Sequence, residues 1–226
     1  MDSYRKTAII VGVLYITATV AGALTALLWE PILGSDYLTK AVENENQVII
    51  GALFYFIMAV AVAGIAIVIY PILKKHNEAL AFGHAAARIV EGVFYIVGAI
   101  FGLLLITLSR EYVAAGAPDA SYFQTLGELL GPARDLAAEF GMLVFTLSAL
   151  IFFYLLYQSK LVPLWLSLWG FFGAILGIPV HLLSLFKLTI PNIDLLYIPL
   201  AICEMALAVW LIGKGFSPQV IKSNSS

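Results

Sequence analysis

A chain of 226 residues that is 62% hydrophobic and 12% charged, with mean hydropathy +0.99, lies well outside the ~45–50% apolar and ~25% charged composition of soluble domains. The net charge of -2, with no cationic run longer than the pair Lys74 and Lys75, excludes a basic nucleic-acid surface. The single cysteine, Cys203, excludes an intrachain disulfide and a multi-cysteine metal centre.

Crossing a hydrocarbon layer of ~30 Å at ~1.5 Å per residue takes about 20 helical residues, since each backbone amide must find its partner inside the segment. The first apolar run, Thr7 to Leu28, follows Arg5 and Lys6 and imitates a secretory signal, with Ala21, Ala23 and Ala26 near a would-be cleavage site. At roughly 22 residues it exceeds the core of such a signal and is read as a retained spanning helix. Five further stretches qualify: Val48 to Tyr70, Ala85 to Leu108, Leu136 to Tyr157, Pro163 to Phe186 and Leu195 to Ile212. The polar stretches between them are too short for soluble domains, so residues 1–226 are expected to form one transmembrane domain. The predicted fold is an all-α integral membrane bundle of about six transmembrane helices with short interfacial helices in the outer loops.

In the first outer loop, Ser35 or Asp36 suits the N-cap of a short helix ending before Asn44. In the next, Ser121 suits the cap of a helix in which Phe123, Leu126 and Leu130 share a face; it is expected to lie flat on the interface and stop near Gly131 and Pro132, as a connector or as a lid. Gly98 with Gly102 and Gly173 with Gly177 are small-xxx-small pairs, expected to bring helix backbones together within the monomer, a homo-oligomer face being the alternative.

Lys and Arg concentrate on the cytoplasmic side of membrane proteins. With the N-terminus inside, Arg5, Lys6, Lys74, Lys75, Lys160, Lys214 and Lys222 are cytoplasmic, and only Lys40, Arg110, Arg134 and Lys187 are outside. Both termini are therefore expected in the cytoplasm. The outer loops hold Glu30, Asp36, Glu43, Glu45, Glu111, Asp119, Glu128 and Asp135, read as a solvated acidic surface.

Four segments carry a resemblance: Arg5-Lys-Thr-Ala-Ile-Ile-Val-Gly-Val-Leu-Tyr, Asn44-Glu-Asn-Gln-Val-Ile-Ile-Gly-Ala, Ser159-Lys-Leu-Val-Pro-Leu-Trp-Leu-Ser-Leu-Trp-Gly, and Glu204-Met-Ala-Leu-Ala-Val-Trp-Leu-Ile-Gly-Lys-Gly-Phe. Together with Ala87-Arg-Ile-Val-Glu-Gly, they are similar to a bacterial multi-pass membrane family known as domain of unknown function 4386. The likeness spans nearly the whole chain and implies a bacterial inner-membrane protein without implying an activity or a cofactor. Leu164 departs from it, standing where a basic residue is expected between Pro163 and Trp165.

Phosphate-loop, His-Glu-x-x-His and Gly-x-Ser-x-Gly signatures are absent, and no catalytic or metal-ligating set stands out. His76 and His84 are expected to be exposed, in or beside the cytoplasmic loop, and Cys203 to be a small packed residue. What remains is charge at membrane depth, which is costly enough to face the bundle interior and seek a partner. Glu91 lies roughly 8–10 Å and Glu204 roughly 13 Å from the cytoplasmic boundary, with Arg88 on the face of Glu91 at i, i+3 and Tyr95 one turn beyond. The three charges are expected to meet, with Tyr95 beside them. Nearer the outside, Glu139 at the start of the fourth helix and His181 in the fifth share a depth of roughly 24–27 Å. Pro179 and Pro199, near His181 and Glu204, each free a carbonyl one turn earlier and favour a midplane cavity.

The leading expectation is that Arg88, Glu91, Tyr95, Glu139, His181 and Glu204 contribute to binding or passage of a small solute or proton, with Glu204 and Glu91 as the working carboxylates and Arg88 as countercharge. The first alternative is a non-catalytic structural or regulatory membrane protein in which the same charges lock helices together. The second is a membrane-embedded enzyme acting on lipid, with Glu139 and His181 sharing a proton.

Overall fold

The computed structural model describes residues 3–117, 122–188 and 190–217. Among these residues there are only helices, six of them long and apolar enough to cross a membrane. They are α1 (Ser3–Leu28), α3 (Glu45–Leu73), α4 (Glu78–Ala114), α5 (Tyr122–Ser159), α6 (Leu164–Leu185) and α7 (Ile198–Gly213), the last entered through a 3-10 turn at Ile193–Tyr197. A 3-10 turn at Glu30–Ile32 and the short helix α2 (Tyr37–Glu43) join α1 to α3. The protein is thus a multi-pass membrane protein, and its lipid-facing girdle is built of exposed residues such as Val13, Val20, Leu53, Val60, Ile67, Val93, Ile100, Phe172 and Val209.

Successive spans pack side by side, and α7 returns to α1, so the six close into a ring. Glycines set how tightly. A methyl group added at Gly12 would stand 2.7 Å from the Ala208 carbonyl, one at Gly92 would stand 2.9 Å from that of Ala59, and one at Gly173 would stand 3.1 Å from the Leu200 backbone. The ring is locked where it closes. Arg5 donates to the carbonyls of Leu211 (3.1 Å), Ile212 (2.6 Å) and Gly213 (3.2 Å), capping the last turn of α7 with a cation and placing both described ends of the chain on one face of the bundle.

At ~1.5 Å per residue α4 and α5 are both about 55 Å long, so they project beyond a ~30 Å hydrocarbon layer. The projection is on the face opposite the termini, where α2 is strapped onto it. Ser109 donates to the Leu38 carbonyl (2.7 Å) and accepts from the Val42 amide (3.1 Å), and Arg110 pairs with Glu45. Arg134, 6% exposed, donates to the Ile32 carbonyl (3.2 Å) and to Asp135 (2.7 Å).

Two local expectations are corrected. No separate interfacial helix ends at Gly131 and Pro132: Phe123, Leu126 and Leu130 belong to α5, which runs unbroken through Pro132. The proline forfeits only the bond to the Glu128 carbonyl, and the turns around it are pinned by Arg134 on one side and, on the other, by Phe123 against Tyr112 and Gly127 against Tyr37. Ser121 and Asp119 lie outside the described residues. Pro199, for its part, sits in the first turn of α7, where its missing amide breaks no helical bond. As expected, α2 begins after Asp36, although the Asp36 side chain makes no capping bond.

Candidate functional site

The site grows out of one face of α4. Residues 84, 88, 91 and 95 recur at four, three and four positions, which stacks them along the side of α4 turned to the bundle interior, and all four are buried. Arg88 and Glu91, 3% and 1% exposed, form an ion pair of 3.0 Å. The guanidinium also donates through Nε to the Val62 carbonyl of α3 (3.4 Å) and lies over the Phe145 ring of α5, 5.2 Å from its centre. One side chain therefore ties three helices together. Tyr95 continues the face; its hydroxyl donates to the Met142 sulfur (3.5 Å), and its ring packs against Tyr55 (5.2 Å between centres), which in turn meets Trp29 (5.1 Å). Gly98 and Gly102 make that aromatic column possible, because a methyl group at either would stand 3.0 Å from Tyr55 or Trp29 respectively.

Below the column is a cavity of about 340 Å³ lined by five of the six spanning helices. Its charged walls are Arg88, Glu91 and Glu204, its aromatic walls Tyr15, Tyr95, Phe145 and Tyr197, and two methionines, Met58 and Met142, complete the interior. The structure brings Arg88, Glu91, Tyr95 and Glu204 to this one space, but the three charges do not form a triad. Arg88 takes Glu91, its neighbour on the same helix. Glu204 is half-buried and, among the described residues, makes no ion pair within 4.0 Å.

Glu139 and His181 meet outside this cavity: His181 Nδ1 is 3.3 Å from a Glu139 carboxylate oxygen. Glu139 stands well inside α5 rather than at its start, because the helix continues outward past it. His181 is 6% exposed and Glu139 half-buried. The His181 ring meets Tyr197 edge-on at 5.8 Å, so Tyr197, which also lines the cavity, is a wall the two groups share.

His84 overturns its expected exposure. It is 1% exposed, stacked on Phe152 (4.8 Å) and bonded through Nδ1 to the Ser148 hydroxyl at 2.8 Å. Only the approach of α5 decides this, yet its spacing of four from Arg88 was a usable signal. The aromatic and methionine walls carried none, since in a membrane helix apolar residues face lipid and interior alike. Cys203 is buried, as a small packed residue should be. Among the described residues no cluster of three or more His, Cys, Asp or Glu stands ready for a metal.

Comparison with known proteins gives one result. Residues 10–215 match the model of a family described as a domain of unknown function (DUF4386). No curated protein and no solved structure matches the chain.

Proposed function

Since the chain belongs to the DUF4386 family, a membership that carries no activity with it, we propose from the site alone that the protein binds, and passes across the membrane, a small solute or proton. Glu204 is the working carboxylate. The observation behind this is that Glu204 faces a cavity without a countercharge of its own while Arg88 is already neutralised by Glu91. A carboxylate at membrane depth must be protonated, paired or hydrated, and an open cavity permits exchange between these conditions. The structural alternative describes one part of the site well: the Arg88–Glu91 pair, with its ties to Val62 and Phe145, is a helix lock. It does not account for Glu204. The enzyme alternative draws less support, since among the described residues no metal cluster stands beside the Glu139–His181 pair, and the Ser148–His84 pair is buried away from the cavity.

We assign the termini to the cytoplasm of a bacterial inner membrane. Supporting this, the terminal face carries the larger share of Lys and Arg, namely Arg5, Lys6, Lys74, Lys75, Lys160 and Lys214 against Lys40, Arg110, Arg134 and Lys187 on the opposite face. Lys and Arg themselves, rather than net charge, are what is retained inside.

The test is Glu204→Gln in proteoliposomes carrying an interior pH indicator. The parent is expected to show proton flux, and the variant to lose it while keeping its melting temperature. A parent with no flux and no ligand-dependent stabilisation would sink this reading.

A further inference from the structure

We infer that the cavity takes an amphipathic organic cation, an alkylammonium head carrying an apolar tail, which enters sideways from the lipid between α1 and α7. The inference rests on the proposed role of Glu204 and specifies its ligand.

The charge comes first. With Arg88 and Glu91 cancelling each other at 3.0 Å, the lining retains one carboxylate, Glu204, without a partner, so the space is complementary to a single positive charge. The rest of the wall suits an organic cation better than a hydrated metal ion. Tyr15, Tyr95 and Tyr197 put aromatic side chains, the type that attracts ammonium groups, into the lining, and Met58 and Met142 adapt to irregular apolar shapes. A volume of about 340 Å³ is at the small end of ligand pockets, enough for a head and the first part of a tail.

The entrance fixes where the ligand comes from. Among the lining residues, Thr19 and Ala23 of α1 are exposed on the protein surface, and Ala201 of α7 is half-exposed. The close contacts between α1 and α7, from Arg5 to the end of α7 and from Gly12 to Ala208 and Ile212, are at the terminal-face end, short of this stretch. Ala201 stands twelve residues before Gly213, roughly 18 Å along the helix, inside a ~30 Å hydrocarbon layer. The lips are apolar: Ile16 and Val20 on one side, Ile198 and Ile202 on the other, all exposed. Toward the opposite face the column of Tyr95, Tyr55 and Trp29 stands over the space, and toward the terminal face the paired Arg88 lines it. A molecule that reaches Glu204 this way must already be dissolved in the bilayer, and a tail left in the opening would remain in lipid.

The experiment is equilibrium binding of radiolabelled decylammonium to the full chain in lipid nanodiscs, with empty nanodiscs subtracted and with decanol and methylammonium as comparison probes. Decylammonium is expected to bind at least tenfold more tightly than either comparison probe. Glu204→Gln and, independently, Ala201→Trp at the lip should each weaken it at least tenfold. If methylammonium binds as well as decylammonium, or if Ala201→Trp and Thr19→Trp leave decylammonium binding unchanged, the lateral amphiphile is wrong while a Glu204 site stands. If neither ammonium binding nor proton flux depends on Glu204, the underlying reading fails as well. Should Glu204→Gln not fold, the contrast between decylammonium and decanol on the parent, together with the Ala201→Trp result, still decides the inference.

Discussion

Replacing Arg88 by leucine separates the structural from the functional half of the site. The guanidinium is 3% exposed and sits 3.0 Å from a carboxylate that is 1% exposed, so its loss strands the Glu91 charge in a buried position. Breaking a buried pair from one side costs about 3–5 kcal/mol. At about 2–4 °C per kcal/mol for a chain of this size, the melting temperature in detergent should fall by about 6–20 °C. Removing both charges together, as Arg88→Leu with Glu91→Leu, should restore most of the loss, because no charge is left without a partner. The coupling for Arg88 with Glu91 should approach about 3 kcal/mol, and that for Arg88 with Glu204, which form no ion pair within 4.0 Å, should stay below about 1 kcal/mol. Thermal unfolding of the parent, three single variants and two double variants gives both numbers. A larger coupling to Glu204 than to Glu91 would refute the division of labour argued above.

Other expectations follow from the packing. Gly92→Ala should destabilise by about 1–3 kcal/mol, because the added carbon meets the Ala59 carbonyl at 2.9 Å, whereas Gly83→Ala, whose added carbon meets only the Ile151 side chain at 3.9 Å, should stabilise α4 by about 0.5–1 kcal/mol; melting curves of the two variants should move in opposite directions. Arg5→Ala should lower the melting temperature by several degrees, since up to three helix-end carbonyls lose a charged donor; an unchanged curve would mean that the α1–α7 closure contributes little. A reporter active only in the cytoplasm should work when fused after the C-terminal residue or placed between Lys74 and Ala79, and periplasmic activity at either position would overturn the assigned orientation.

The spanning helices were legible because the bilayer demands them: about 20 apolar residues with no free backbone is a constraint that composition alone reveals. The charges were legible for the same reason, since Arg88, Glu91 and Glu204 stand out against apolar neighbours, and their depth placed them within reach of one another. Which acid Arg88 takes was not legible, because the i, i+3 partner on its own helix and the partner across the bundle differ only in how close α7 comes. The burial of His84 was legible only as far as its spacing of four from Arg88, the rest depending on Ser148 arriving from α5. The ends of α4 and α5 escaped for another reason: beyond the membrane these helices are held by tertiary bonds, such as Arg134 to Ile32 and Ser109 to Leu38, that leave no mark in local hydropathy. The opening between α1 and α7 escaped because apolar residues such as Ile16, Val20, Ala201 and Ile202 read the same at the lip of a cavity as they do against lipid.

The clasp between Arg5 and the end of α7 makes the order of synthesis matter. The first helix leaves the ribosome 185 residues ahead of the end of the last, from Leu28 to Gly213, which at about 5–20 residues per second is a wait of roughly 10–40 s. Throughout that interval the guanidinium lacks the carbonyls it will cap, and the cavity lacks one wall. The binding space is therefore completed only when α7 inserts and docks, so a chain stalled one helix short would hold five membrane helices and no enclosed site, with the interior edges of α1 and α6 open to lipid or to an assembly factor.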